Sequence, residues 1–158
     1  MGSENIVYQA MLLTGTRVAT FFNDHNYPCL YRVHKIDQEN SGKLQAIIDN
    51  ITENYGGKEF KNLYKLLEGI YPKGFYATEG KHDGLGKEHY CHCTSGLRRA
   101  ADIVVEHALE VCYDKTPTEE ELALLEQEVE KRAKEITKKQ APIEWFIDDY
   151  RRVYKKRR

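Results

Sequence analysis

The sequence predicts a mostly helical α+β unit with a few short strands. Apolar residues recur at helical spacing in six segments that take up most of the 158 residues. Two short runs, 30–33 and 75–79, are rich in branched and aromatic residues and favour strand. Glycine and proline clusters separate these segments where a chain must turn. The length suits one domain with a real core.

The first helix is expected over 4–23, where Ile6, Val7, Ala10, Met11, Thr14, Val18, Phe21 and Phe22 recur at helical spacing and polar positions are few. It reads as a buried helix. Asn26 and Pro28 mark a turn, and Leu30, Tyr31 and Val33 a short strand. His34 follows with no second ligand at metal spacing, so it reads as a structural or surface histidine. An amphipathic helix is expected over 42–55, carrying Leu44, Ile47, Ile48, Ile51 and Tyr55, with Gly56-Gly57 as its stop. A second follows over 58–70, with Phe60, Leu63, Tyr64, Leu67 and Ile70 on one face. Both read as scaffold.

Phe75 to Glu79 is strand-like, and Gly80, Gly84 and Gly86 make a turning connection. That connection lacks the lysine and Ser/Thr of a nucleotide-binding loop. His89, Cys91 and Cys93 alternate, so a strand would place them on one face. A zinc-containing interaction domain built on them is one reading. The spacing argues against it, because structural zinc sites use four ligands, usually with Cys-x-x-Cys pairs. Half-buried thiols on a strand are the better account.

The next helix is expected from about Leu97 to Cys112, with Thr94 or Ser95 as its cap and Ile103, Val104, Ala108, Leu109 and Val111 buried. Arg98 and Arg99 then fall in its first turn, where the positive helix end disfavours cations. Arg98 and Asp102 stand at i, i+4, and Glu106 continues their stripe. Salt bridges to neighbouring elements account for these charges. So does a phosphate site built from free backbone N–H groups and forked guanidiniums. Thr118 and Glu121 form a capping box that starts a long helix, with Leu122, Leu125, Val129 and Ile136 as its seam. Pro142 should break or kink it. A last amphipathic helix, 141–158, carries Trp145, Phe146, Ile147, Tyr150, Val153 and Tyr154 and ends in a basic tail. Asp148 and Asp149 are adjacent and point apart on a helix, which disfavours a shared metal.

The formal net charge of −1 gives no global signal for nucleic acid or membrane. No apolar run approaches the roughly 20 residues that cross a bilayer, and the start lacks a signal peptide's pattern. The four cysteines show no disulfide-framework spacing. A cytoplasmic protein with reduced thiols is therefore expected.

The stretch His82-x-Gly84-Leu85-Gly86-x-Glu88-x-Tyr90-x-x-x-Thr94-Ser95-x-x-Arg98-Arg99-x-x-Asp102 resembles the signature near the end of the RNase II/RNase R catalytic domain. Ala10 to Leu13 with Val18-Ala19, and Leu30 to His34, are similar to two earlier blocks of that domain, in the right order. The resemblance covers about residues 5–112. It implies that residues 4–140 form the C-terminal part of an RNB-type exoribonuclease domain, a partial nuclease domain whose few strands complete a sheet with the other half.

Such enzymes are processive 3′→5′ exoribonucleases that hydrolyse single-stranded RNA with magnesium-bound water. The resemblance implies that Arg98 is the catalytic arginine. It places Thr94, Ser95, Arg99, Asp102, His82 and Tyr90 as substrate-binding residues. No residue here is expected to hold the metal, because the aspartate cluster lies in the family's N-terminal half. Gln9 stands where the family often has a carboxylate, Gly15 for asparagine, Gly96 for proline and Ala100 for tyrosine. The expected partners are single-stranded RNA and a second chain or domain supplying the aspartates, or a second copy of the chain. The alternative is a catalytically inactive module that binds RNA or a protein partner.

Overall fold

The computed structural model describes residues 3–36, 73–113 and 116–155, with isolated positions 42, 43, 45, 46 and 49; of 141–155 it describes the backbone alone. The elements are α1 (Ser3–Asp24), β1 (Tyr31–Val33), β2 (Phe75–Ala77), a single 3₁₀ turn (Asp83–Leu85), α2 (Ala100–Cys112) and α3 (Glu119–Lys155). The fold is mostly helical α+β, as the sequence predicts. The isolated positions in 42–49 are helical, with Gln45 Nε2 donating to Asp49 Oδ1 at 2.8 Å. The rest of the expected helix over 42–55, and all of that over 58–70, lie outside the described residues.

Only half of α1 is core. Gly15, Ala19 and Phe22 are buried, whereas Ile6 (65 % exposed), Val7 (59 %) and Leu13 (61 %) face outward. The periodicity of 4–23 predicts burial along the whole helix, and the structure corrects this. The apolar stripe continues past the elements that cover it. The helix ends in a left-handed residue, Asn26 (φ 54°), with Tyr27 N–H returning to Phe22 O at 2.9 Å. Asparagine tolerates that conformation, which is why the turn falls there.

β1 and β2 pair antiparallel, with Tyr31 opposite Ala77, Arg32 opposite Tyr76 and Val33 opposite Phe75. On the other side of β1, Arg32 N–H donates to Tyr90 O (2.8 Å), and Tyr31 bridges Cys91. The backbone of Tyr76 therefore faces the outer edge of β2. There the Thr137 hydroxyl of α3 receives Tyr76 N–H at 3.0 Å and lies 3.4 Å from Tyr76 O. An unpaired edge is a pairing hazard, and here a helix side chain covers its middle residue.

The core lies where α1, the sheet, α2 and α3 meet, with Phe22, Leu30, Val33, Val105 and Val129 fully buried. The Thr118–Glu121 capping box forms: Glu121 N–H donates to Thr118 Oγ1 (3.2 Å), and Thr118 N–H to Glu121 Oε2 (2.9 Å). Leu125, Val129 and Ala133 bury the α3 seam, flanked by half-buried Leu122 and Ile136. α3 runs through Pro142 without ending, so that proline does not break the helix. The side chains of the terminal segment, including Asp148 and Asp149, and the end of the basic tail lie outside the described residues. Among the described residues no helix is long and apolar enough to cross a membrane.

Candidate functional site

α2 begins at Ala100, three residues later than its sequence suggests, with Arg99 as the residue before the first turn and no side-chain cap. Residues 96–98 form a turn instead, in which Arg98 N–H and Arg99 N–H both donate to Ser95 O at 3.1 Å. Neither Thr94 nor Ser95 caps α2. The job of fixing the loop falls to Asp102, in the first helical turn. It is fully buried, and its Oδ2 accepts Ser95 N–H at 2.7 Å. A carboxylate there also suits the positive end of the helix.

Asp102 pairs with Arg99, not with Arg98. Arg99 Nη2 donates to Asp102 Oδ2 at 2.9 Å, and Nε stands 2.9 Å from Oδ1 as the second arm of the ion pair. Starting the helix at Ala100 moves Arg98 out of i, i+4 reach, which corrects the expected Arg98–Asp102 pair. Arg98 is exposed, with one long contact to Ser95 Oγ at 3.4 Å. The two arginines thus differ in state: one is neutralised inside a clamp, and the other projects from the loop that the clamp holds. Leu97 and Thr94 are exposed beside it. On α2, Ile103 is 55 % exposed, while Ala101, Val105, Ala108 and Cys112 are buried. Ile103 and Val104 instead floor a groove of about 450 Å³ against Ile136 of α3.

The strand-like stretch before the loop is seated by α1. Cys91 N–H and its thiol both donate to Gly15 O, at 3.3 and 3.4 Å. Its residues alternate. On one face Cys91 meets the thiols of Cys29 and Cys93; the hydrogen bond with Cys29 and burial push the Cys91 thiol well up, and the hydrogen bond with Cys91 and burial do the same for Cys93. His89 lies apart from them, its ring 5.6 Å from Tyr31. Among the described residues no cluster of three His, Cys, Asp or Glu is placed to hold a metal ion.

The opposite face carries Tyr90 and His92. Tyr90 stands edge-on to His82 (5.6 Å, 88°) and to His92 (5.6 Å, 86°). His82 stacks on buried His34 at 5.4 Å, and Asp83 N–H donates to His34 O at 2.9 Å. Burial, then His34, lowers the pKa of His82, and burial raises those of the Tyr90 and Tyr76 phenols. His92 Nδ1 lies 2.7 Å from the Tyr76 hydroxyl. Burial, followed by the charges of Arg99 and Arg32, pushes its pKa down to about 4. The structure therefore brings His82, Tyr90, Ser95, Arg99 and Asp102 around one loop, with Thr94 and Arg98 on its outer side. The members that reading the motif misses are His92, Tyr76 and Arg32. Alternation from Tyr90 places His92 on the same face, so that one was findable.

Neutral His92 has a consequence for acid stability. The unfolded histidine titrates near 6.5 and the folded one at about 4, so the unfolded chain binds the proton more readily between those values. This contribution is complete above pH 6.5 and is lost as the pH falls toward 4; His82 acts in the same direction. The urea midpoint of the wild-type chain should fall across that window. His92→Gln should flatten the fall by up to about 2–3 kcal/mol. An identical pH profile in the variant would contradict the assignment.

Residues 2–115 match the RNB domain model. This chain belongs to the RNB family. The RNB match takes in α1, the sheet, the Arg98 loop and α2. Ribonuclease R of Aquifex aeolicus is 30 % identical over 153 residues, covering 79 % of this chain and 21 % of that protein. Ribonuclease R 1 of Lactococcus lactis is 28 % identical over 140 residues, covering 73 % and 17 %. The chain is similar to Mycoplasma genitalium RNase R in complex with ribose methylated single-stranded RNA. The TM-score is 0.68 at 25 % identity, over 87 % of this chain and 25 % of that one. The complex of the same enzyme with double-stranded RNA gives 0.66 at 24 %, a likeness of fold. The chain thus spans about a fifth of the length of these RNB-family relatives.

Proposed function

We propose that residues 4–140 are the C-terminal part of an RNase II/R-type 3′→5′ exoribonuclease domain and hold the terminal phosphate of single-stranded RNA, with 141–158 an appended amphipathic helix. The observation that carries this is the division between the two arginines. Asp102 takes the charge of Arg99 and ties down Ser95 N–H, so Arg98 is presented on a fixed loop with most of its donors unused. A forked guanidinium on a rigid support suits a phosphate, at low entropic cost of ordering.

In this reading Arg98 touches the scissile phosphate and stabilises charge that develops there. Thr94 and Ser95 face the same phosphate, and Asp102 and Arg99 act through the loop they hold. His82 and Tyr90 form the wall beside it. Hydrolysis needs clustered carboxylates and a divalent metal, magnesium in this reading. The rest of the domain supplies them, from a second chain or a neighbouring segment.

The test is binding of a 5′-labelled single-stranded oligouridylate by this chain. Arg98→Ala should weaken binding roughly tenfold and flatten its salt dependence, without altering the melting temperature. No binding by the wild-type chain, or full affinity in the variant, would overturn the proposal.

A further inference from the structure

Arg32 is a cation with no carboxylate partner among the described residues. It is half-buried on β1, where its backbone is fixed by Tyr90 O on one side and its side chain crosses toward α3. Nη1 donates to Gln140 Oε1 at 3.1 Å, and the guanidinium carbon stands 4.8 Å over the Tyr76 ring. Residue 74 is glycine, and a Cβ there would come within 3.0 Å of Cζ, Nε and Nη2. The guanidinium is therefore seated between a neutral amide, an aromatic face and a bare backbone. Among the described residues, one of its five donors has a side-chain acceptor, and that acceptor is uncharged.

A charge taken partly out of water is ordinarily paired, because solvation lost must be replaced. Arg99, the other arginine acting on His92, follows that rule through Asp102. Arg32 has no such carboxylate among the described residues, so its remaining donors are left to water or to an anion from outside. The uncompensated cation favours the anion, and the hydrogen bond between His92 and the Tyr76 hydroxyl links its aromatic platform to the stretch that leads into the Arg99 clamp. The Nε and Nη2 edge offers the paired donors that fit two phosphate oxygens.

We infer that Arg32 is a second phosphate contact, which takes a backbone phosphodiester of the same RNA strand that Arg98 holds by its end. This rests on the RNA-binding reading above. Arg98 sets the end of the strand and Arg32 sets its path across the sheet. The pair fixes direction as well as position, which a single contact cannot do.

The experiment is oligouridylate binding at several salt concentrations. Arg32→Gln should lower affinity about five- to tenfold and reduce the slope of log K against log salt by about 0.7, the share of one contact on a single strand. Loss of affinity with an unchanged slope would mean that Arg32 merely supports Tyr76 and Gln140, and would overturn the inference. So would unchanged affinity. Wild-type chain that binds no RNA sinks this inference together with the reading it rests on, whereas a normal Arg32→Gln beside a defective Arg98→Ala sinks this one alone. If Arg32→Gln fails to fold, the Arg32 Nε–Hε resonance of the wild-type chain decides. It should shift and saturate along with binding of the oligouridylate. A static resonance, or an equal shift with inorganic phosphate at the same phosphate concentration, would overturn the assignment to the RNA backbone.

Discussion

Asp102→Ala should destabilise the chain by roughly 3–5 kcal/mol, the cost of leaving a partner charge and a backbone donor without their acceptor. Asp102 is fully buried, and two partners depend on it: Ser95 N–H at 2.7 Å and the Arg99 guanidinium at 2.9 Å. Such a loss is a large fraction of the stability of an ordinary domain. Urea titration reads it directly. Asp102→Asn should cost less, since a carbonyl oxygen can still accept Ser95 N–H while the charge pair is lost. Arg99→Ala in the Asp102→Ala background should add little, because the single change has already broken the pair. A cost below about 1 kcal/mol for Asp102→Ala would show that the clamp does not hold the loop. The same variants separate holding the loop from touching RNA. Weakened RNA binding in Asp102→Asn, with Arg98 intact, would follow from misplacement of the Arg98 loop alone.

Much of this arrangement is written in local signals. The Thr118–Glu121 box is a property of residues three apart, and it forms where it is read. Asn26 and Pro28 turn the chain where their backbone preferences say, and the β-prone runs 30–33 and 75–79 contain the strands Tyr31–Val33 and Phe75–Ala77. What stays hidden depends on distant partners. The stripe on α1 is apolar from Ile6 to Phe22, and nothing in its spacing tells which half meets a neighbour. The Arg98–Asp102 pairing presupposes a helix that starts at Leu97. Asp102 accepting Ser95 N–H moves that start to Ala100 and passes the carboxylate to Arg99. The alternation of 89–93 draws the eye to the thiols, while the residues that border the clamp, Tyr90 and His92, share the other face. Arg32 looks like any strand arginine until Gly74 and Tyr76 are seen to seat it. Gly15 is the sharpest case, because the resemblance expects asparagine there.

Gly15→Ala should destabilise the chain although it improves the helix. Glycine inside a helix costs about 1 kcal/mol relative to alanine, so propensity alone predicts a gain. Space reverses the sign. A Cβ at position 15 would stand 2.4 Å from Cys91 O and 2.6 Å from the Tyr90 ring, and the first of these is backbone. Relief requires α1 to move away from the 90–91 stretch, stretching the bonds from the Cys91 N–H and thiol to Gly15 O. Overpacking of this kind costs roughly 1–3 kcal/mol net, and Gly15→Asn, with three further heavy atoms, should exceed that range. Gly96→Ala is the matched control. Its Cβ would stand 3.0 Å from the Glu106 carboxylate, the far end of an exposed side chain that can swing aside, so its cost should stay below about 0.5 kcal/mol. The displaced stretch carries Tyr90 and leads into the Arg98 loop, so Gly15→Ala should also weaken RNA binding with Arg98 and Arg32 unaltered. If Gly15→Asn melts with the wild-type chain, α1 does not press on the loop's support. The asparagine expected from the family would then be sterically admissible, and the Gly15 contact would not be what positions the site.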